Sequence, residues 1–373
     1  MDLSTRKRIG STRVEVTPLG LGTVPLGGLY EPVSDAEATA LVQRAYELGI
    51  RLFDTAPQYG SGLAEERLGA VLPGLPRDEI IVATKVGRLL RPITFGAKTR
   101  RVLVESIRSG DVRRIAGDAI KVGRRLARGR SGVDVQLGAP FDRDQAALEP
   151  YYDFSYDGVL RSVEESLGRL RLDRVELLYI HDPDHHHDEA IDGAFKALDR
   201  LRSDGTVGAI GVGMNQTAML VRFAREAPFD MFLAAGRYTL LDQDALNELI
   251  PECERQGISL VIGGVYNSGI LADPTPGAKF NYERAPGSVL ERAQRIQAVC
   301  ARHGIPLMAA AIQFPLGNPV VAAVLTGVRS VAEIEQNVEM FKIEIPDALW
   351  QELRSEGLLP AEARTPQPAL TPA

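Results

Sequence analysis

From residue 15 onwards the chain repeats one pattern, in which a short apolar run is followed by a longer segment with apolar residues at helical spacing. The runs predict buried strands, and the segments between them predict helices that pack on a parallel sheet. The runs long enough to be strands are residues 20–23, 51–54, 80–85, 175–181, 207–212, 231–235, 259–263 and 321–326. This set fits a closed (β/α)8 TIM barrel of the α/β class.

Capping residues mark where several of the helices begin. Ser34 and Glu37 have the spacing of a capping box, and Gly49 closes the same helix. Ser155 and Ser330 stand in the corresponding place before two later helices. Ahead of the first barrel strand, residues 7–9 and 13–16 flank a turn, and they predict a hairpin that plugs the bottom of the barrel.

Length and composition agree with one large domain. The chain has 373 residues, of which 45% are hydrophobic and 25% charged, as in ordinary globular proteins, and we assign residues 1–360 to a single barrel domain. The net charge of −6 does not indicate a nucleic-acid partner. Because the chain has no apolar leader and no run of ~18 apolar residues, we predict a cytoplasmic protein without a membrane partner. Cys253 and Cys300 predict buried free thiols, and the proline-rich residues 361–373 predict a disordered tail.

An insert at residues 89–154 interrupts the repeat between the third strand and the next helix, where a βα loop needs only a handful of residues. Within the insert, residues 111–128 place apolar side chains at helical spacing, with arginines and lysines on the rest of the wheel. The simplest interpretation is a solvated helical excursion that packs its apolar stripe on the barrel rim. Contact of this basic insert with an anionic partner, or a role in covering the substrate, stays open.

Four side chains that can support proton transfer lie at strand ends or in the loops just after them: Asp54, Tyr59, Lys85 and His181. Chemistry in (β/α)8 barrels is found at the carboxyl ends of the strands, so we expect the four to meet in one pocket. A phenol in water has a pKa of about 10, and a nearby ammonium held by a carboxylate lowers that pKa toward neutrality. The set predicts a phenol that exchanges a proton during hydride transfer at a carbon that bears oxygen.

The motifs around these residues resemble those of the aldo-keto reductase superfamily. They are Phe53-Asp54-Thr55-Ala56 with Tyr59, then Thr84-Lys85, then Ile180-His181-Asp182. The segments 154–158, 235–241, 267–271 and 349–350 resemble the branch of D-threo-aldose 1-dehydrogenase, L-fucose dehydrogenase and pyridoxal 4-dehydrogenase. The resemblance implies that Tyr59 is the general acid/base, that Lys85 lowers its pKa, that Asp54 pairs with Lys85, and that His181 orients the substrate oxygen.

The resemblance also implies a nicotinamide dinucleotide whose adenosine end lies at the start of the helix after the eighth strand. The residues concerned are Gly327, Arg329, Ser330, Glu333, Gln336 and Asn337. Phosphate suits a helix N-terminus, and Arg329 could pair with the 2′-phosphate of NADP. Glu333 opposes this pairing because a carboxylate repels phosphate, so NADP is favoured only slightly over NAD. Asn215 is the candidate for contact with the nicotinamide carboxamide.

The expected activity is therefore that of an NAD(P)-dependent oxidoreductase, which interconverts an aldose hydroxyl at C1, or the hydroxyl of a small alcohol, with its carbonyl. Two alternatives stay open: a carbonyl reductase for a larger biosynthetic substrate, and a nicotinamide-binding regulatory subunit. The run His185-His186-His187 does not predict a metal site, because adjacent histidines point in divergent directions. We assign no metal.

Overall fold

The computed structural model describes residues 1–29, 31–92 and 148–367 of the protein. The strands are β1 (Lys7–Arg8), β2 (Glu15–Val16), β3 (Leu19–Gly22), β4 (Leu52–Asp54), β5 (Ile81–Val86), β6 (Arg88–Pro92), β7 (Leu148–Tyr152), β8 (Leu177–His181), β9 (Ala209–Met214), β10 (Met231–Ala235), β11 (Ser259–Gly263), β12 (Lys279–Phe280), β13 (Glu283–Arg284) and β14 (Val321–Gly327). Strands β3, β4, β5, β8, β9, β10, β11 and β14 form a closed parallel barrel in chain order, and β14 pairs with β3 to close it. The predicted (β/α)8 barrel is confirmed, because every predicted strand overlaps a strand of this barrel.

Helices connect successive barrel strands. They are α1 (Asp35–Glu47), α2 (Leu63–Gly69), α3 (Tyr156–Leu170), α4 (His187–Glu189), α5 (Lys196–Ser203), α6 (Thr217–Glu226), α7 (Leu249–Gln256), α8 (Gly287–Arg302), α9 (Leu307–Gln313), α10 (Val331–Lys342) and α11 (Asp347–Ser355). A π-helical turn, Ala190–Phe195, joins α4 to α5, and short 3₁₀ turns lie at Pro25–Gly27, Leu72–Gly74, Arg77–Glu79, Asp244–Leu246, Asn267–Gly269 and Phe314–Gly317. Among the helices of the described ranges, none is long and apolar enough to cross a membrane.

The predicted caps are present. Ser34 forms a capping box with Glu37, in which its hydroxyl accepts from the Glu37 N–H and the Glu37 carboxylate accepts from the Ser34 N–H. Ser155 caps α3 and Ser330 caps α10, each by accepting a backbone N–H in the first turn. These bonds satisfy donors that the start of a helix otherwise leaves without partners.

The β1–β2 hairpin closes the amino end of the barrel, as predicted. Ile9, Val14 and Val16 of the hairpin are buried in one apolar cluster with Leu52 and Met231, the first residues of two barrel strands. Apolar packing of this kind fills the barrel interior with side chains, so the barrel is a core and not a pore. The carboxyl ends of the strands are left to carry the polar residues.

The chain divides into two compact units, one made of residues 1–89 with 152–373 and the other of Leu90–Tyr151. Strands β6 and β7 pair with each other in a separate two-stranded sheet. The helix predicted at residues 111–128 lies outside the described residues. In the predicted tail, residues 361–367 are described, and Ala363 and Thr365 are buried and accept hydrogen bonds from Arg354; residues 368–373 lie outside the described part. Cys253 and Cys300 are buried free thiols, as predicted.

Candidate active site

Neighbouring strands bring the four predicted side chains to one end of the barrel. Asp54 is the last residue of β4, Lys85 is the penultimate residue of β5, and His181 is the last residue of β8. These strands are adjacent in the barrel, and Tyr59 follows β4 in the next loop. Parallel strands end at the same edge, so the topology places all four at the carboxyl face.

Lys85 and Asp54 form a buried ion pair at the centre of this group. The Lys85 ammonium donates to the Asp54 carboxylate at 2.7 Å and to the Thr55 carbonyl at 2.9 Å. Burial alone would lower the pKa of Lys85, but the Asp54 carboxylate and Tyr59 raise it above its ordinary value. Lys85 is therefore a fixed positive charge, because a buried charge is stable only when it is paired and hydrogen-bonded.

Tyr59 lies between Lys85 and His181. The Lys85 Nζ atom is 4.8 Å from the centroid of the Tyr59 ring. The ring meets the His181 imidazole edge to face, with centroids 5.9 Å apart and planes at 87°. The phenol is thus held by two of the residues that were expected to act on it.

A close backbone contact fixes the loop that carries Tyr59. Gly60 has a φ of +61°, which is in the left-handed region, and a Cβ placed there would lie 2.5 Å from the Gly27 carbonyl oxygen. Gly27 belongs to the 3₁₀ turn after β3 and in turn has no room for a Cβ against Gly60. Glycine is required where two backbones approach so closely.

The pKa of Tyr59 differs from the expectation. Burial raises the pKa of Tyr59 to about 12, and the Lys85 ammonium offsets only part of this effect while the Asp54 carboxylate works against it. The expected lowering toward neutrality is wrong, because desolvation penalises a phenolate more than the paired Lys85 ammonium favours it. At neutral pH Tyr59 is a protonated phenol, ready to donate.

His181 is held as a neutral imidazole. Its pKa lies well below the ordinary value because of burial and the positive charges of Lys85 and Arg88. The Nε2 atom is 3.7 Å from Asp182 Oδ2, which is too long for a hydrogen bond. The Nδ1 atom is buried and has no hydrogen-bond partner among the described residues.

Arg88 is a charged residue at the site that the sequence did not single out. Its guanidinium pairs with Asp182 at 2.9 Å, donates to the Gln58 side-chain oxygen, and lies over the Tyr152 ring. Gln58 precedes Tyr59 and Asp182 follows His181, so one side chain spans two loops of the site. Its position three residues after Lys85, as the first charge beyond the strand, is the signal that could have found it.

The residues predicted for the adenosine end lie at and after the start of α10. Ser330 caps this helix, and Gly327 ends β14 just before it. The Arg329 guanidinium pairs with Glu31 at 2.7 Å and with Glu333 at 3.0 Å. The other oxygen of the Glu333 carboxylate accepts the Arg329 backbone N–H at 2.8 Å. Acidic side chains therefore hold both the Arg329 guanidinium and the Arg329 backbone N–H.

The remaining cofactor candidates differ in their surroundings. Gln336 is exposed on α10, whereas Asn337 is buried and its side-chain oxygen accepts from the Tyr266 hydroxyl at 2.8 Å. Asn215 is exposed just after β9, and its carbonyl accepts from Arg237 at 2.8 Å. Asn215 therefore lies at the carboxyl end of the barrel just after β9, whereas the α10 residues follow β14.

One buried polar atom bears on whether the site suits a cofactor that carries hydroxyl groups. Asp54 Oδ2 is buried and has no hydrogen-bond partner among the described residues. Such an atom is costly unless a donor reaches it. A ribose or substrate hydroxyl supplies a donor of that kind, so the residues present fit a nicotinamide nucleotide.

Two of the three adjacent histidines are placed by aromatic packing, and His185 is exposed. The His186 ring packs at a tilt against Tyr152 and Phe154, with centroid distances of 4.9 and 5.3 Å, and His187 is buried against Phe223 with a centroid distance of 4.6 Å. Across residues 1–29, 31–92 and 148–367, no group of three or more His, Cys, Asp or Glu side chains is placed to hold a metal ion.

The structure defines the fold class of the protein as a closed (β/α)8 barrel with a polar group of side chains at its carboxyl end. The model of the Aldo/keto reductase family matches residues 18–356. The chain belongs to this family; it is an enzyme that interconverts hydroxyl and carbonyl groups, and the family uses NAD(P)H.

Two curated relatives span almost the whole chain. D-threo-aldose 1-dehydrogenase of a Pseudomonas species is 39% identical over 96% of this chain and 99% of its own length. Pyridoxal 4-dehydrogenase of Microbacterium luteolum is 40% identical over 95% of this chain and 98% of its own. The predicted resemblance to the superfamily and to this branch is confirmed.

Solved structures agree on the fold. An aldo-keto reductase from Bacillus halodurans in its holo form superposes with a TM-score of 0.67 at 22% identity, covering 94% of this chain and 95% of that one. The glycerol dehydrogenase of Gluconobacter oxydans gives 0.66 at 20% identity, covering 99% of both chains. At these identities the match bears on the fold alone.

Proposed function

We propose that the protein is an aldose 1-dehydrogenase or a dehydrogenase of another small alcohol, with a nicotinamide dinucleotide as its redox partner. Support for the sugar comes from the 39% identity to D-threo-aldose 1-dehydrogenase across nearly the full chain. The similar identity to pyridoxal 4-dehydrogenase makes a small aromatic alcohol or aldehyde the second class to test.

The observation that carries the chemistry is the buried Lys85–Asp54 pair beside the Tyr59 phenol. In this proposal Tyr59 is the general acid/base, Lys85 stabilises its phenolate, and Asp54 keeps Lys85 charged and in place. His181 is neutral, so it can donate one hydrogen bond to the substrate oxygen and orient it. The four side chains thereby fix the reacting oxygen between a proton donor and a hydrogen-bond donor.

The proton and hydride must balance in both directions. In oxidation Tyr59 accepts the hydroxyl proton while the carbon loses hydride; in reduction the phenol returns the proton to the oxygen. The nicotinamide, when bound, supplies or accepts the hydride. Since the pKa of Tyr59 is raised to about 12, the phenol is the resting form, and we expect oxidation to accelerate with rising pH.

For the cofactor we propose that Gly327, Arg329 and Ser330, with the first turn of α10, receive the adenosine end of the dinucleotide. Gln336 and Asn337 lie further along this helix, and Asn215 is the candidate for the carboxamide. The pairing of Arg329 with Glu31 and Glu333 favours NAD, because a 2′-phosphate must displace carboxylates from a locally negative cluster. This reverses the slight preference for NADP that the sequence suggested.

A panel of aldoses, pyridoxal and simple alcohols, each with NAD and with NADP, tests the proposal by the absorbance of reduced nicotinamide. We expect turnover with at least one aldose and a lower KM for NAD than for NADP. Turnover confined to pyridoxal or to simple alcohols would reject the sugar assignment.

A further inference from the structure

Backbone conformation and packing fix the position of Arg88 at the edge of the site. Gly87, with a φ of +91°, turns the chain after β5, and the Phe154 ring covers it so closely that a Cβ there would lie 2.1 Å from a ring carbon. The Gly87 carbonyl accepts the Asp153 N–H at 3.0 Å. The backbone before Arg88 is therefore fixed, and its side chain is only 14% exposed.

From this position the guanidinium reaches the two loops on either side of the reacting groups. One terminal nitrogen pairs with Asp182 Oδ2 at 2.9 Å, and the other donates to the Gln58 side-chain oxygen. The planar face lies 5.1 Å from the centroid of Tyr152. A guanidinium has the forked donors and flat face for these three contacts at once, whereas an ammonium does not.

Arg88 and His181 also compete for the same carboxylate oxygen. Asp182 has a φ of +41°, an uncommon conformation outside glycine that occurs most often in Asn, Asp and His. Its Oδ2 atom lies 2.9 Å from the Arg88 guanidinium but 3.7 Å from His181 Nε2. The arginine holds the carboxylate, and the imidazole is left without that bond.

We propose that Arg88 is a positioning residue that clasps the loop carrying Tyr59 to the loop after His181 and withholds the Asp182 carboxylate from the His181 imidazole. Loss of the guanidinium then has two consequences. The two loops lose their common partner, and Asp182 becomes free to bind His181 and to favour the imidazolium form. The change at His181 can be measured on the folded protein alone. The loss of turnover that follows from separating the two loops rests on the proposed function.

Other charges around His181 set the direction of the effect. Burial opposes an imidazolium most strongly, and Lys85 on β5 and Arg88 after it add to this effect. The Tyr59 ring packs against His181, and Asp182 is the acidic neighbour, 3.7 Å from Nε2. Asp184 acts on Asp182, and Tyr282 lies within the range of the Asp182 charge. Removing Arg88 leaves burial and Lys85 to oppose an imidazolium, and we expect the His181 pKa to rise from its low value because Asp182 can then bind the ring.

The test is a histidine NMR titration of Arg88→Met between about pH 5 and pH 8, where an ordinary imidazole changes charge. His181 is assigned with His181→Gln. In the wild type we expect no titration of His181 in this window, and in Arg88→Met a titration within it. The double variant Arg88→Met with Asp182→Asn should restore a neutral imidazole across the window. This readout needs no substrate, so it separates failure of the clasp from failure of the proposed function.

Turnover supplies the second arm. Arg88→Met should lower kcat by about 10- to 100-fold, because small displacements of reacting groups are costly, and should add an acidic limb to the pH profile. Arg88→Lys keeps the charge but not the fork, so we expect a reduced kcat with His181 still neutral. Arg91→Met is the matched control, since Arg91 is 58% exposed and pairs with Glu149 at 3.1 Å.

An unchanged His181 titration in folded Arg88→Met would overturn the inference. If thermal unfolding shows that Arg88→Met does not fold, Arg88→Lys decides alone: wild-type kcat in that variant overturns the clasp, and a reduced kcat with neutral His181 supports it.

Discussion

The two ends of the proposed site are built differently. At the reacting end, the side chains of Lys85 and Asp54 are 2% and 5% exposed and pair with each other at 2.7 Å. At the start of α10, the side chain of Arg329 is 39% exposed and is held by Glu31, itself 69% exposed. The first end is fixed by neighbouring barrel strands, whereas the second is held by surface ion pairs.

This difference determines what a ligand must do at each end. A buried pair cannot exchange partners without leaving a charge in a poorly solvated site, so the reacting geometry exists before substrate binds. An exposed pair contributes little stability and exchanges easily, so an incoming phosphate competes with carboxylates at modest cost. Rate should depend on the first end, and cofactor preference on the second.

Replacing the buried cation should have the largest effect. Lys85→Met leaves Asp54 as an unpaired buried carboxylate and removes the charge that favours the Tyr59 phenolate, so we expect a loss of kcat of about 10²- to 10⁴-fold. The pKa of Tyr59, already raised to about 12, should rise further, and the alkaline limb of oxidation should move to higher pH. An active variant with an unchanged pH profile would contradict the coupling of Lys85 to Tyr59.

A methyl group added at the Tyr59 loop should disturb the same end through the backbone. Gly60→Ala forces a side chain into a left-handed conformation, which costs roughly 1–2 kcal/mol, and pushes the loop away from Gly27. We expect lower thermal stability and a loss of kcat of about 100-fold. Gly257→Ala is the control, because Gly257 also has a positive φ of +70° but open space around it; it should lose stability and keep kcat.

Removing a charge at the start of α10 should change the preference between NAD and NADP and leave kcat unchanged. Glu333→Gln removes one of the two carboxylates that hold Arg329 and with it a repulsive charge, and we expect a shift toward NADP of about tenfold, equivalent to ~1.4 kcal/mol. Arg329→Ala should shift the preference toward NAD. Glu335→Gln is the matched control on the same helix, since Glu335 pairs with Arg44 on α1. Equal changes in affinity for both cofactors would show that Glu333 does not sense the 2′ position.

The cap of α10 should give the smallest effect. Ser330→Ala removes the acceptor for the Glu333 N–H and should cost about 1 kcal/mol of unfolding free energy. Ser34→Ala removes the equivalent acceptor from α1 and should cost a similar amount. Only Ser330→Ala should also weaken dinucleotide binding, by a few-fold; an equal loss of affinity in Ser34→Ala would argue against a phosphate site at α10.

The sequence predicted the features that repeat along the chain. Apolar periodicity gave the barrel strands, and capping serines gave the starts of α1, α3 and α10. The four proposed catalytic residues were predictable because each lies at the end of a strand, or in the loop just after one, and these ends must lie at one face. These signals are local in sequence, and the barrel topology brings the residues that carry them together at one face.

Features that depend on contacts between distant segments were missed. Arg88 is the first charge after β5, but the contacts that give it a role are with Gln58 and Asp182, which are far from it in sequence. The raised pKa of Tyr59 follows from the burial of its ring among segments distant in sequence, which no local pattern reports. The pairing of Arg329 with Glu31 joins residues at opposite ends of the chain, so the slight preference for NADP could not be judged from α10 alone.

The central claim is that Tyr59 carries the proton in a site assembled before substrate binds. Tyr59→Phe tests it most directly, because the substitution removes the phenol oxygen and keeps the ring that packs against His181. With the accepted sugar or alcohol as substrate, we predict a loss of kcat of about 10²- to 10⁴-fold, with the Kd for the dinucleotide changed by less than about twofold, equivalent to ~0.4 kcal/mol. Retention of more than about a tenth of the wild-type kcat would contradict the account, since a general acid/base contributes at least about a hundredfold.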